Sequence, residues 1–367
     1  MSTILDYLNW RGDVLFTQTP ANEVDAYVLA KIGVPDLEGL VSEGPEKAAL
    51  QEVYRNYFAR TDIDPDYFGR LNLPVLTKLL RKLPETPRFR DLLLSGYLQK
   101  RSVSRTEQIS ALTLTLPRGE TWITFRGTDD TIVGWKENFL MAVEEEVPAQ
   151  RDALDYLIRA AESCSGPLTV CGHSKGGNLA VYAAAMAPEA VQRRITAVYN
   201  FDGPGFRKEF WQSPGTLRVK DRTHHLVSQH TIVGTLLAQA EEQEICRSKK
   251  KGPAAHEALN WDVMGPVFVR EKRFSRVSSE LDVLLKRQIE QLSREELRAF
   301  IEEFFGVLTC TGVTTLTELT EQPLDQLLLQ LKKMNGSPAV REFGRSIRQL
   351  ILDSSQKRLS QLLKKKK

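Results

Sequence analysis

The sequence predicts an α/β fold with a mostly parallel central sheet flanked by helices, plus a C-terminal helical appendage. Between about residues 120 and 245, short β-prone runs alternate with apolar helical runs. That alternation is typical of a parallel sheet covered by helices. One strand-like run joins the next helix through a tight glycine-rich bend, at the edge where such sheets gather their catalytic groups. Beyond about residue 275 helical periodicity replaces the strand signals.

The first part of the chain is predicted to be largely helical. Asn22-Glu23-Val24-Asp25 indicates a helix start, and one face of that helix carries Val24, Tyr27, Val28 and Ile32. Proline-bounded apolar runs predict a helical insertion near residues 45–100. A β-hairpin follows, with a β-prone run over 109–116, a Pro-Arg-Gly-Glu turn and a returning strand over 121–125.

The alternating part is predicted element by element. The predicted strands are 167–171, 195–201 and 222–228. The predicted helices are 149–162, 175–187 and 231–245.

A domain boundary is predicted near residue 275, between an α/β domain over 1–275 and a helical region over 276–367. In the second region, Ser293-Arg294-Glu295-Glu296 forms a capping box that starts a helix. Its inner face carries Leu297, Phe300, Ile301 and Phe304, and further helices are predicted at 311–330 and 339–363. Lys364 to Lys367 form a basic tail, interpreted as solvated, with peripheral contact to an anionic membrane surface as the minority interpretation.

Composition excludes several classes of protein. A net charge of +3 is too small for a nucleic-acid-binding protein. No apolar run approaches the ~20 residues that cross a bilayer, and the first residues do not resemble a secretory signal. Four scattered cysteines without metal-type spacing predict reduced thiols in the cytoplasm and no metal site. No organic cofactor is implied.

The most informative motif is Gly172-x-Ser174-x-Gly176, followed by Gly177. A β-prone run precedes it, and an alanine-rich helical run follows it up to Pro188. This is the pattern of a nucleophile elbow, in which a serine on a sharp strand-to-helix turn presents its hydroxyl. The alternative is a glycine turn with an incidental serine. We therefore predict Ser174 as a nucleophile.

A serine nucleophile needs a base, usually a histidine held by a carboxylate. His173 adjoins the nucleophile and is interpreted as a structural residue of the elbow. In α/β-hydrolases the acid and then the histidine follow the serine along the chain, which leaves His224, His225, His230 and His256. His256 is favoured because it lies in a polar loop beyond the predicted sheet, and His230, at the end of a predicted strand, is the alternative base.

The remaining catalytic groups are predicted from their places at strand ends. Asp202 directly follows the strand after the elbow helix and is the favoured acid; the alternative is a turn-stabilising aspartate. The oxyanion donors are predicted as the amide of Lys175, at a helix N-terminus, and the amide of Thr128, after the returning hairpin strand. Arg126 is predicted to tie that loop to a carboxylate.

These motifs resemble two related families. Phe125-Arg126-Gly127-Thr128, Trp135 and the run Gly172 to Ala180 are similar to the oxyanion loop and elbow of class 3, or fungal-type, lipases. The wider chain resembles the bacterial Mbeg1-like family of lipase-like α/β-hydrolases over roughly residues 1–275. The matching segments are 4–13, Asn22–Asp25, Phe201–Phe206, Ile232–Gly234, and His256 with Trp261.

Two departures from the class 3 lipases stand out. Those lipases place their acid after the strand that here ends near His230, where this chain has no aspartate. Lys175 stands where leucine is usual, which predicts an added cation near the site and an anionic acyl or phospholipid substrate.

The resulting hypothesis is a cytoplasmic serine esterase that cleaves a small-molecule or lipid ester. Ser174 attacks, His256 moves the proton and Asp202 orients the imidazole. Two alternatives remain: an inactive hydrolase fold kept as a binding or regulatory module, and an acyltransferase with the same triad. The substrate pocket is expected from the helices of 45–100, with a lid near Leu236 to Ala255.

Overall fold

A computed structural model describes residues 2–66, 74–239, 243–276 and 292–309, together with scattered positions between 278 and 318. Its centre is an 8-stranded sheet whose strand order follows the chain. The strands are β1 (Ala48–Ala49), β2 (Leu93–Ser102), β3 (Glu107–Thr115), β4 (Thr121–Phe125), β5 (Leu168–His173), β6 (Ile195–Phe201), β7 (Thr223–Ser228) and β8 (Glu244–Cys246). A separate hairpin contains β9 (Val263–Met264) and β10 (Val267–Phe268).

The sheet changes character along its width. Neighbouring strands from β1 to β4 are antiparallel, and those from β4 to β8 are parallel. The predicted α/β fold with a mostly parallel sheet is therefore confirmed. The hairpin prediction is confirmed as well, because β3 and β4 pair from Ala111↔Phe125 to Thr115↔Thr121.

Helices cover both faces of this sheet. They are α1 (Ile4–Arg11), α2 (Glu23–Ile32), α3 (Leu50–Phe58), α4 (Pro74–Lys82), α5 (Pro87–Arg90), α6 (Ile132–Leu140), α7 (Pro148–Glu162), α8 (Lys175–Met186), α9 (Glu189–Gln192), α10 (Pro214–Val219) and α11 (Arg294–Thr309). Because side chains alternate along a strand, one hydrophobic cluster joins α1 to α4 with Leu112 and Phe201. A second cluster joins α6, α7, α8 and α11 with Ile123 and Val170.

The N-terminal helix prediction is confirmed at α2. The Asn22 side chain accepts hydrogen bonds from the amides of Val24 and Asp25, at 3.0 and 3.1 Å, and so caps the first turn. Every residue from Val24 to Ile32 is buried, including Lys31. This helix therefore lies inside the molecule, against β5, and its one lysine is buried with it.

The helical prediction for 45–100 is wrong at its end, where β2 begins at Leu93. Three helices occupy the earlier part, but the chain after α5 pairs with β3 over most of its length. At Gly96 φ is +64°, a conformation that glycine adopts easily, and the register of β2 shifts there. Pairing with a neighbouring strand, which is distant information, overrides the local helical pattern.

The helix predicted over 231–245 is also wrong within the described residues. Val233–Thr235 forms a short 3₁₀ turn, and Glu244–Cys246 forms β8. The Thr231 hydroxyl accepts a hydrogen bond from the Gly234 amide at 2.8 Å, and Leu226↔Glu244 pairing adds β8 to the sheet. Side-chain capping and edge pairing therefore decide this segment.

The predicted capping box is confirmed at the start of α11. The amide of Ser293 donates to Glu296 at 3.0 Å and the amide of Glu296 donates back to Ser293 at 3.2 Å. Leu297, Phe300 and Ile301 are buried in the second cluster, so α11 packs on the helices of the sheet. The helix predicted at 311–330 is wrong over its first described residues, 312–315, which are not helical, and Thr315 pairs with Thr131 in an isolated bridge. The rest of that prediction apart from residue 318, the helix predicted at 339–363 and the tail Lys364–Lys367 lie outside the described residues. The boundary at 275 stays a prediction. Among the described helices, none has the length and apolar character needed to cross a membrane.

Candidate active site

Ser174 forms the bend between β5 and α8. Its backbone has φ 59° and ψ −130°, a strained conformation for a residue with a side chain. The flanking glycines explain how the bend closes. A Cβ on Gly172 would lie 2.1 Å from the carbonyl oxygen of Gly176, and a Cβ on Gly176 would lie 2.0 Å from that of Phe125. The sequence motif therefore has the backbone of a nucleophile elbow.

Asp202 and His256, which are 54 residues apart, meet in the structure. The Nδ1 atom of His256 lies 2.6 Å from Oδ2 of Asp202, which is fully buried. The amide of Ser228 and the hydroxyl of Thr231 also donate to this carboxylate, at 3.1 and 2.9 Å. Three hydrogen-bond partners therefore surround the Asp202 carboxyl group and fix its orientation. With Nδ1–H donating to Asp202, the Nε2 atom of His256 is the basic nitrogen.

Four side chains hold the loop that carries His256, and we call them the histidine clamp: Tyr27, Lys31, His173 and Glu257. Lys31 lies 2.8 Å from the Glu257 carboxylate, and the Tyr27 hydroxyl donates to the same carboxylate at 2.8 Å. His173 bridges to His256 itself, with Nε2 lying 2.9 Å from its carbonyl oxygen. Helix α2, through Tyr27 and Lys31, and strand β5, through His173, therefore anchor the loop on both sides of the peptide after His256.

Burial and charge set the protonation of this clamp. Burial lowers the pKa of His173 well below its ordinary value, so the ring is neutral. A neutral ring accepts from the Lys31 ammonium at Nδ1, 3.1 Å away, and donates from Nε2 to the His256 carbonyl. Burial alone would raise the pKa of Glu257, but the Lys31 ammonium beside it outweighs burial and holds that pKa below its usual range. Glu257 is therefore charged, and it pairs with Lys31.

The loop after β4 lies against the elbow. A Cβ on Gly127 would come within 2.8 Å of the His173 carbonyl oxygen and 3.3 Å of the Ser174 Cβ, so glycine permits this close approach. The side-chain amide of Asn138 donates to the Thr128 hydroxyl at 2.6 Å. The loop therefore holds Thr128 beside the elbow, where a second oxyanion donor is expected.

Arg126 of the same loop has the role predicted for it. Its guanidinium lies 3.7 Å from the Asp129 carboxylate and donates to the Val34 carbonyl at 3.3 Å.

The structure corrects the expectation that Lys175 brings a cation to the site. The Nζ atom of Lys175 donates to the Gln108 carbonyl at 2.6 Å and also to Glu137. The Lys175 and Glu137 side chains are fully buried. Burial lowers the pKa of Lys175, and the Glu137 charge opposes that shift. A paired, buried ammonium offers little net charge to a ligand. Lys175 therefore does not indicate an anionic substrate. The backbone amide of Lys175 lies at the N-terminus of α8, and its role as an oxyanion donor, which does not depend on the side chain, stays a prediction.

The other histidines are placed differently. His230 is absent from the described residues lining the cavity beside Ser174, and its Nε2 lies 3.1 Å from the side-chain amide nitrogen of Gln229. His224 is half-exposed near Glu244, whereas His225 is buried and neither ring nitrogen has a hydrogen-bond partner in the described structure. One strand histidine is thus packed and the other solvated, as predicted.

A cavity of about 1020 Å³ opens beside the elbow. Ser174 and His256 both line it, together with Gly127, Thr128 and Lys175. The expected segment 45–100 contributes Tyr57 and Leu76 from its helices and Ile63 from the loop between them, but α6 and α11 contribute as well. In the described part of the chain no cluster of His, Cys, Asp or Glu side chains could hold a metal ion.

Sequence reasoning missed the histidine clamp and the contribution of α11. One signal was available in the sequence: after the capping Asp25, Lys31 is the one charged residue in a helical run that is otherwise apolar up to Ile32. A lysine is almost never fully buried unless it is paired. Nothing in the sequence marks Glu257 as the partner of Lys31, because the two residues are 226 positions apart along the chain.

The sheet, its helices and the strained serine between β5 and α8 define an α/β-hydrolase fold. The chain belongs to the Mbeg1-like family, whose model matches residues 83–306, more than half of its length. No curated protein is significantly similar to it. Among solved structures, it is similar to one described as M37 lipase, with 17% identity, coverage of 50% of this chain and 67% of the lipase, and a TM-score of 0.34. The family named from the motifs is therefore confirmed.

Proposed function

We propose that the protein is a lipase-like serine hydrolase that cleaves a carboxylic ester through an acyl-enzyme. One observation carries the proposal: His256, held at Nδ1 by the buried Asp202 at 2.6 Å, lines the same cavity as the strained Ser174. A carboxylate that fixes the imidazole tautomer leaves Nε2 ready to accept a proton. The three residue types in that chain order are those of a catalytic triad in this fold.

The proposed reaction proceeds in two halves. In the first, the Ser174 hydroxyl attacks the ester carbonyl while Nε2 of His256 takes its proton. The amides of Thr128 and Lys175 stabilise the oxyanion. The protonated His256 then gives its proton to the departing alcohol, which leaves an acyl-Ser174. In the second half, His256 activates water, which attacks the acyl group and releases the acid and free Ser174.

The cavity supports an acyl or lipid ester as the substrate. Besides the candidate catalytic groups, aromatic and aliphatic side chains form much of its lining, including Trp135, Phe139, Leu236 and Ile301. A pocket of this size, mostly apolar with a few convergent polar groups, is typical of a small-molecule site. The ester carbonyl would lie beside Ser174, and the apolar surface would bury the attached hydrocarbon.

Labelling with a fluorophosphonate tests the nucleophile directly. We expect the folded protein to be labelled at neutral pH and Ser174→Ala to lose labelling completely. Ser165→Ala, which removes an exposed serine, is the matched control and should label like the wild type. Hydrolysis of p-nitrophenyl esters should follow the same pattern. Folded wild-type protein that neither labels nor hydrolyses would contradict the proposal and favour a binding module.

A further inference from the structure

The cavity beside Ser174 is lined by charged and polar groups, among them Asp36, Gln99, Arg101 and Asp129, and by apolar side chains. We call one group of these apolar side chains the α6–α11 wall. It consists of Trp135, Phe139, Ala142, Leu237, Leu297 and Ile301. All six side chains belong to, or pack against, the hydrophobic cluster that includes α7 and α8.

The wall begins next to the candidate oxyanion loop. Asn138 of α6 holds Thr128 through a 2.6 Å hydrogen bond, and Phe139 is the next residue. Helix α11 is fixed against α6 by aromatic contacts, with the rings of Phe139 and Phe305 having centroids 5.4 Å apart. Leu297 and Ile301, four residues apart, lie on the same face of α11 and both line the cavity.

We propose that the α6–α11 wall binds the acyl chain of the substrate and that Leu297 and Ile301 set the longest chain accepted. The inference rests on the proposed function, because it takes Ser174 as the point from which the chain extends. Each methylene buried on the wall should raise kcat/KM about fourfold. The gain should stop at the chain length that meets α11. The preferred substrates are then medium- to long-chain acyl esters.

A chain-length series in bulky variants tests this inference. Ile301→Trp and Leu297→Trp should fill the end of the cavity and lower kcat/KM for p-nitrophenyl palmitate at least tenfold relative to the acetate. Ala299→Trp places a tryptophan on the exposed face of the same helix and should keep the wild-type ratio. Ile301→Ala should shift the optimum toward longer chains, and it covers the case in which a tryptophan variant does not fold. Unchanged ratios in folded Ile301→Trp and Ile301→Ala would overturn the inference.

A binding measurement separates this inference from the proposed chemistry. In Ser174→Ala, a dansyl-labelled undecanoic acid should bind with enhanced fluorescence, and adding Ile301→Trp should weaken that binding at least tenfold. Binding without any esterase activity in the wild type would leave the apolar site standing while the hydrolase proposal fails. Binding that Ile301→Trp does not alter would overturn the acyl site even in an active enzyme.

Discussion

The side of the site that carries Ser174, the proposed nucleophile side, and the side that carries His256, the proposed base side, are built in different ways. On the nucleophile side, Gly172, Ser174 and Gly176 lie within five consecutive residues, and backbone contacts alone shape the bend. On the base side, Asp202 and His256 come from separate loops, and α2 holds the second loop through Lys31. The first side is specified locally, and the second only when the whole sheet and its N-terminal helix are assembled.

Each side contains one buried ion pair, which makes the comparison testable. Lys175 pairs with Glu137 on the nucleophile side, and Lys31 pairs with Glu257 on the base side. Removing one member of either pair leaves an uncompensated buried charge. The consequence for catalysis should differ, because the elbow is also fixed by its own backbone and the histidine loop depends on the pair.

The largest effect is expected from Asp202→Asn. An amide at this position cannot hold His256 with Nδ1 protonated and Nε2 basic. Because an asparagine in the equivalent role of a serine protease costs about 10⁴ in kcat, we expect a fall of about that size here. The measurement is ester hydrolysis at saturating substrate, with circular dichroism to confirm the fold. Activity within tenfold of the wild type in folded protein would remove Asp202 from the triad.

The next effect is expected from Glu257→Gln, which breaks the histidine clamp. An unpaired Lys31 should lower the free energy of unfolding by about 3–5 kcal/mol. Without the ion pair to Lys31, the loop that carries His256 should also move. A displacement of about 1 Å should lower kcat by about 100-fold.

The matched double variant Lys31→Met/Glu257→Gln removes both charges. It should regain much of the stability in urea unfolding but little of the activity, because the loop stays unanchored. Equal recovery of stability and activity would mean that the clamp acts on stability alone.

A smaller catalytic effect is expected from the ion pair on the nucleophile side. Glu137→Gln leaves the Lys175 ammonium unpaired and should cost about 3–5 kcal/mol in unfolding free energy. The bend of Ser174 and the Lys175 amide belong to the backbone, so kcat should fall less than tenfold in the folded variant. Lys175→Met/Glu137→Gln should restore stability with near wild-type kcat. A 100-fold loss of kcat in that stable double variant would show that the two sides are not built differently.

The same contrast explains what the sequence could predict. The elbow was predictable because glycine, serine and glycine at fixed spacing, between a β-prone and a helical run, leave few other conformations. Asp202 was predictable as a candidate because it follows a strand directly, so the topology of the sheet places it. The positions of β3 to β7 followed from short-range patterns for the same reason.

The remaining features depend on contacts that local patterns do not encode. Strand β2 was missed because its pairing with β3 decides the conformation of Leu93–Ser102. The histidine clamp was missed because Lys31 and Glu257 are 226 residues apart along the chain. The cation expected at Lys175 was wrong because Glu137, 38 residues earlier, neutralises it. In each case the deciding partner is distant in sequence.

The smallest effect at neutral pH is expected from His225→Leu, a base-side histidine that does not line the cavity. Burial lowers the pKa of His225 from 6.5 to about 4. Below pH 6.5 the unfolded chain therefore takes up a proton there, whereas the folded chain does not until about pH 4. The free energy of unfolding should therefore decrease as the pH is lowered from 6.5 to 4. The decrease should be about 1.4 kcal/mol per pH unit and about 3 kcal/mol in all. His225→Leu should remove this part of the slope in urea titrations from pH 7 to 4 and leave kcat at pH 7 unchanged. An unaltered slope would mean that His225 takes up its proton over the same pH range in the folded and the unfolded protein, so that burial does not lower its pKa.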